Sequence, residues 1–286
     1  MTTRREFLVR GGALVFACTP LARRRARDTA PATVRLVFVD DGSADARDGV
    51  TLGVEEARHA AELFGGGVEW TSIASAGKVS AELRRTKALA VIGGTGVEAA
   101  SALARAAAAA GAVYMNTLVS GDALRAVCAS LAFHVAPSDR MLRDARALAH
   151  APDAAPAEAW DPSLVRFGAD TLNNRFRARF GRPMTAAAWT NWFAVKALWE
   201  STLRVQSAKA RALADHLAAD ATQFDGHKGR PLSFRSWDHQ LRQPVYVRVA
   251  AGRPPLEEPV QGPDEDARAS LDKIGAESKL EECRHG

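Results

Sequence analysis

Asp40 and Asp41 stand side by side at the end of an apolar run, Val34-Arg35-Leu36-Val37-Phe38-Val39, and are followed at once by Gly42 and Ser43. Two carboxylates in a polar turn at a strand end can hold a metal ion or a ligand amine, although exposed turn carboxylates are the commoner case. A second group, Gly93-Gly94-Thr95-Gly96, follows another apolar run, Leu89–Ile92. Glycines there let the backbone turn tightly, so that unpaired N–H groups at the start of the next helix face a ligand or solvent. As a dinucleotide loop the group fails, because it follows the third predicted strand, lacks the third glycine, and has no acidic residue at the usual spacing beyond it. Asn116, Thr117 and Ser120 keep polar character after the next apolar run. Asp238-His239 has the makings of half a catalytic pair, but no nucleophile can be associated with it, and a loop position is the better reading. His134, inside an apolar run, reads as a hydrogen-bonded core residue. HExxH, GxSxG and Walker motifs are absent, and no Cys/His cluster has metal-ligand spacing. Nothing demands catalysis or a cofactor, and the rival enzymatic reading rests on Asp40, Asp41 or His239.

These residues are positioned by a predicted alternation of strand and helix. Val34–Val39 is a buried strand, Gly49–Leu63 has apolar residues at helical spacing, Gly65-Gly66-Gly67 stops it, and Val68–Ile73 is a second strand. Val79–Arg85 is a short helix. From Lys87 to Leu124 an apolar run, a glycine turn, an alanine-rich helix, Gly111 and another apolar run, Val113–Met115, make a βαβ unit. The expected fold class is α/β with a doubly wound parallel sheet, and ligands belong at the carboxyl ends of its strands. Farther on, Leu131–Val135 is extended, Ser138-Asp139 caps a helix over Arg140–His150, and residues 151–162 form a loop. Asn173–Phe180, Ala186–Val205 and Ala208–Ala221 are helices, with Trp189, Trp192, Phe193 and Trp199 as core. Gly229–Phe234 and Pro244–Val249 read as antiparallel strands. From Gly252 onward the acidic, proline-containing chain is expected to be loosely ordered.

The 286 residues, 47% of them hydrophobic, can bury one large core or two modest ones. The net charge of +5 comes entirely from residues 1–28, which carry seven arginines against Glu6 and Asp28, and the remainder balances 31 basic against 31 acidic residues. The basic balance is thus no evidence for nucleic-acid binding, and no nucleic-acid partner is expected. Thr3-Arg4-Arg5-Glu6-Phe7-Leu8-Val9 resembles a twin-arginine export signal, and Gly11–Ala17 is an apolar stretch too short to span a bilayer. Residues 1–32 are therefore expected to form an export signal and linker, and the protein to be periplasmic. Val15-Phe16-Ala17-Cys18 has the outline of a lipoprotein processing site, with cleavage near Leu21-Ala22 or Ala30-Pro31-Ala32 as the alternatives. In an oxidising compartment the two remaining cysteines, Cys128 and Cys283, are expected to pair.

With export, a doubly wound first half and no catalytic signature, the chain resembles the type I periplasmic solute-binding proteins of ABC importers, the group that includes leucine/isoleucine/valine binders. Gly49–Ala57 looks like that family's first helix, Ala90–Gly94 like its third strand and ligand loop, Asn191–Leu203 like its late aromatic helix and Phe224–Phe234 like its closing β segment. Cys128, His134–Asp139, Phe234–Pro244 and Leu271–Cys283 look most like the branch associated with PQQ-dependent alcohol dehydrogenase systems. The resemblance implies a non-catalytic binding role, with a small solute, importer membrane subunits and a quinoprotein alcohol dehydrogenase as partners. The alternative is a periplasmic enzyme or an adaptor of that dehydrogenase. It also implies a ligand crevice lined by Asp41, Ser43, Thr95, Gly96, Thr117 and Ser120. Two departures stand out. Thr95-Gly96-Val97 offers few of the hydroxyls that hold an amino-acid carboxylate in the family. The stretch where a second lobe of roughly a hundred residues belongs is only about residues 138–160, too short for a second sheet, so the second lobe should be truncated. The α/β domain is expected to run over 33–253, followed by a tail over 254–286.

Overall fold

The computed structural model describes residues 33–126, 129–207 and 209–277. The first half alternates as its periodicity predicts: β1 (Thr33–Val39), α1 (Ala44–Phe64), β2 (Gly67–Ile73), α2 (Val79–Thr86), β3 (Ala90–Gly93), α3 (Val97–Ala110), β4 (Val113–Asn116), α4 (Ala123–Ala126) and β5 (Ala132–His134). The five strands form one parallel sheet in the order β2-β1-β3-β4-β5. Both faces of β1 are apolar because both are covered: Val34, Leu36 and Phe38 join one core, Val37 and Val39 the other. The order reverses between β1 and β3, so the crevice of a doubly wound sheet opens there.

The second half contributes α5 (Asp139–Leu148), β6 (Ala157–Glu158), α6 (Ala169–Phe180), α7 (Ala186–Val205), α8 (Ala210–Ala218), β7 (Phe224–Asp225), β8 (Pro231–Phe234), β9 (Leu241–Arg242), β10 (Val245–Val247), β11 (Leu256–Glu258) and α9 (Ala267–Leu271). Helix α7 is apolar nearly all round, as a helix buried in a core must be, and it returns to the sheet beside α1. Trp189, Trp192, Phe193 and Trp199 are buried there as predicted, with Trp189 stacked between Trp160 and Phe193. The α1–α7 crossing is close because Gly49 lies on the backbone of Ala188, where a Cβ would come within 2.1 Å of the carbonyl oxygen.

Between β5 and α6 the chain forms only α5 and β6, and no second parallel sheet exists among the described residues. What stands there is a stub. Strand β6, in a stretch expected to be loop, pairs with β10, and β10 with β11, in a three-stranded antiparallel sheet. Helix α5 packs on this sheet around a small core of Met141, Ala145, Ala157, Val245, Val247 and Ile274. The two predicted antiparallel strands of the second half thus lie in different sheets, β8 pairing with β7 and β9 instead.

The segment after Gly252 is a correction to the sequence expectation. It adds β11 to the small sheet, forms α9 capped by Asp266, and buries Ser270, Leu271 and Ile274 completely. Acidic composition concealed this because the acids are used: Asp272 accepts from Arg235 Nε at 2.9 Å and from Arg242 Nε at 2.9 and 3.0 Å. The export signal over residues 1–32, Cys18, Cys128 and Cys283 all lie outside the described residues.

Candidate functional site

The loops after β1 and β3 flank the switch point. In the first, Asp41 Oδ1 accepts from Ser43 N at 3.0 Å, and the Ser43 hydroxyl accepts from Ala46 N at 3.3 Å. Ser43 is therefore the N-cap of α1, which explains a serine at that position without any ligand. Asp40 takes a bidentate pair from Arg47, Nε to Oδ2 at 2.7 Å and Nη2 to Oδ1 at 3.0 Å, and these hydrogen bonds hold its carboxyl below the usual carboxylate range. A carboxylate so occupied is a weaker base than a free one. In the second loop, Gly93 and Gly94 have φ of +103° and +93°, and a Cβ on Gly93 would sit 2.8 Å from Val39 O. Thr95 and Gly96 are exposed, with Gly96 at the N-cap of α3 and no side chain capping the helix.

The loop after β4 is built differently. Asn116 is buried and spans its own turn, Oδ1 accepting from Val119 N at 3.0 Å and Nδ2 donating to Val119 O at 2.8 Å. That turn presents Thr117, whose hydroxyl donates to Asn191 Oδ1 on α7 at 2.9 Å. Thr117 and Ser120 open on a cavity of 250 Å³ between the carboxyl end of the sheet, the first turn of α7 and the stub; Glu158, Ala187, Thr190 and Leu142 complete its working surface. Its polar groups are three hydroxyls and one carboxylate, and no cation lines it among the described residues. Glu158 is exposed at the rim by its accessible surface, and partial desolvation of its carboxyl with the like charge of Asp161, opposed by Arg248, raises its pKa above the ordinary value. Such a lining suits a compact neutral or weakly cationic polar solute and disfavours a carboxylate.

Of the six crevice residues expected from sequence, Thr117 and Ser120 share this cavity, whereas Asp41, Ser43, Thr95 and Gly96 border the switch point and do not line it. Glu158, Ala187 and Thr190 carried no local signal, since each meets the cavity only through tertiary packing. Asp40, Asp41 and His239 do not converge. His239 Nδ1 lies 2.9 Å from Ala132 O, and its ring stacks on Phe133 with centroids 4.4 Å apart. It is a packed residue of a buried turn, together with Asp238.

The two segments that suggested the quinoprotein-associated branch, His134–Asp139 and Phe234–Pro244, pack against each other. Gln240 Nε2 donates to His134 O and Ala136 O, each at 3.1 Å, and Gln243 Nε2 donates to Val135 O at 2.6 Å. Arg125 donates to Gln240 Oε1 and to the carbonyls of Val119, Gly121 and Ala136. Burial pulls its pKa down to about 10. Nearby, Lys228 is buried and donates to Ala159 O, to Gln243 Oε1 at 2.7 Å and to Pro244 O at 3.3 Å, with its Nζ 3.8 Å from the centroid of the Trp189 ring. Arg125 ties the turn at Gln240 to the parallel lobe, and Lys228 ties the end of the stub at Ala159 to the Gln243-Pro244 segment.

No family model matches the sequence, and no curated protein sequence matches it. Solved structures do. The branched-chain amino acid transporter substrate binding protein LivJ from Streptococcus pneumoniae, in complex with isoleucine, is 13% identical with a TM-score of 0.65, over 79% of this chain and 99% of that one. An ABC-type branched-chain amino acid transporter protein from Rhodopseudomonas palustris is 12% identical with a TM-score of 0.70, over 87% of this chain and 100% of that one. A solute binding protein from R. palustris in complex with benzoate is 14% identical with a TM-score of 0.63, over 80% of this chain and 96% of that one. The five-stranded parallel sheet and its helices are thus those of the type I periplasmic binding protein fold.

Proposed function

We propose that this chain is the exported, non-catalytic solute-binding component of an ABC-type importer. Its solute is a small uncharged molecule of the alcohol class, held where Thr117, Ser120, Thr190 and Glu158 meet, with Asp41, Ser43, Thr95 and Gly96 on the neighbouring rim. The observation that carries the reading is the cavity itself, which lies at the carboxyl ends of parallel strands, where this architecture places its ligands, and is bordered by the stub. Neighbouring structures hold isoleucine and benzoate, both carboxylates. The hydroxyl-and-carboxylate lining here supports a different solute. The likeness of His134–Asp139 and Phe234–Pro244 to the quinoprotein-associated branch motivates the further reading that the protein works beside PQQ-dependent alcohol oxidation, and the sequence of residues 3–18 motivates the twin-arginine export route and Cys18 as a lipidation point. Without a second hinged lobe, closure over the solute falls to α5 and β6.

A thermal-shift titration of the full chain with small alcohols tests this. Binding at 100 times Kd stabilises by about 2.7 kcal/mol, which for a domain of this size raises Tm by about 5–11 °C. Ala187→Leu, which fills the cavity from the first turn of α7, should remove the shift. An alcohol shift that survives this substitution, or no shift with any alcohol, overturns the proposal.

A further inference from the structure

A second cavity, of 220 Å³, lies beneath α3 and α4 on the other side of the sheet's edge, and no residue lines both it and the cavity at Thr117. Its wall is apolar, from Ala104, Ala108, Leu124 and Ala132, and four polar side chains line it: Ser101 and Tyr114, whose hydroxyls donate to Val97 O and Gly93 O, and Arg105 and His134. An apolar cavity of about 150 Å³ is enough for a benzene-sized molecule, so this one takes a single ring or a branched five-carbon chain with one polar substituent.

His134 is 4% exposed, and its tautomer follows from its neighbour. Because Asn116 Oδ1 accepts from Val119 N, the Asn116 Nδ2 is the atom 3.2 Å from His134 Nδ1. A donor there makes Nδ1 the acceptor and leaves the ring proton on Nε2. Burial, with Arg125 and His239 close by, drives the His134 pKa well below its ordinary value, so the ring is neutral. Among the described residues no acceptor meets the Nε2–H, and the atom is not sealed from solvent, so it is open to a ligand from the cavity that His134 lines.

The lining favours an occupant that accepts a hydrogen bond and carries no positive charge. Arg105 is exposed at the rim and no carboxylate lines the cavity beside it among the described residues. Arg125, which the His134 ring feels as a positive charge, donates only to neutral oxygens, with Asp238, Asp122 and Asp139 offsetting part of its charge from nearby. We infer that this cavity is a separate binding site for a compact apolar monocarboxylate, whose carboxylate accepts from His134 Nε2–H in the field of Arg105 and Arg125 while its hydrocarbon body packs on Ala104, Ala108, Leu124 and Ala132.

Calorimetric titration of the full chain with benzoate and 3-methylbutanoate, against benzylamine and benzyl alcohol, tests the inference. The carboxylates should bind with Kd on the order of 10⁻⁴ M, the alcohol more weakly and the amine not at all. Ala104→Leu should abolish carboxylate binding while leaving the unfolding midpoint unchanged or raised, since it fills a void on a helix. Arg105→Gln should weaken carboxylate binding about threefold. Ala187→Leu should leave it untouched, which separates this site from the solute cavity. Carboxylate binding that persists in Ala104→Leu, benzylamine binding as well as benzoate, or no carboxylate binding to the wild-type chain overturns it.

Discussion

Replacing Asp272 by Asn keeps the shape of the side chain and removes the one charge that two buried guanidiniums share. The Arg235 side chain is fully buried and that of Arg242 is 3% exposed, while Asp272 is 27% exposed, so the carboxylate sits at the mouth of a dry pocket. Burial lowers the Arg242 pKa, and Asp272 is the chief influence opposing that drop. Removing one partner of a buried ion pair costs about 3–5 kcal/mol, because the remaining charge is left uncompensated. Arg235 keeps Asp238 at 3.7 Å and donates to the Leu271 and Ile274 carbonyls, and Arg242 keeps Phe234 O, so the lower end applies. A loss of about 3 kcal/mol lowers Tm by about 6–12 °C for a domain of this size. Urea unfolding of the full chain, followed by tryptophan fluorescence, reads the difference, and amide exchange over residues 267–275 should accelerate with it. The control is Lys273→Ala, which removes only the partly exposed pair with Glu265 and costs less than about 1 kcal/mol. A Asp272→Asn protein within 1 kcal/mol of wild type would refute the view that the C-terminal segment is clamped to the lobe by this carboxylate.

Gly49→Ala should destabilise by about 3 kcal/mol despite the roughly 1 kcal/mol that alanine gains in helix propensity, because its Cβ would meet Ala188 O at 2.1 Å; neutral behaviour in urea unfolding would show that α1 and α7 can separate freely. Lys228→Met leaves Ala159 O, Gln243 Oε1 and Pro244 O without their donor. A loss of at least about 3 kcal/mol is expected, and an unchanged midpoint would mean the three acceptors find other partners. His134 links stability to pH. Its folded pKa is depressed by burial, so below pH 6.5 the unfolded chain binds the extra proton and stability falls as pH falls, by up to about 1.4 kcal/mol per pH unit until the folded group titrates. Wild type should therefore lose more stability than His134→Gln between pH 6.5 and 5, by up to about 1.6 kcal/mol; parallel curves for the two proteins would contradict a neutral buried imidazole.

Local pattern was enough for the parallel lobe. Strands such as Val34–Val39 and Val113–Met115 are short apolar runs closed by polar or glycine turns, and the helices between them carry their own period and stops at Gly65 and Gly111. Those signals lie within a few residues of one another, so the alternation, the wound sheet and the shortness of the stretch after His134 were all legible from the chain. The use of side chains was less so. Asp40 and Ser43 look like ligand groups in sequence, and the structure spends them on Arg47 and on capping α1.

What depended on tertiary structure involves residues far apart along the chain. Asp272 finds Arg235 and Arg242, β6 finds β10, and Thr117, Glu158 and Thr190 meet around one cavity. An acidic residue in a proline-containing tail has the same local appearance whether it faces water or two buried guanidiniums. Only closing the long loops between such groups distinguishes the two, because burial and charge pairing are properties of the packed neighbourhood and are not encoded in any short window of sequence.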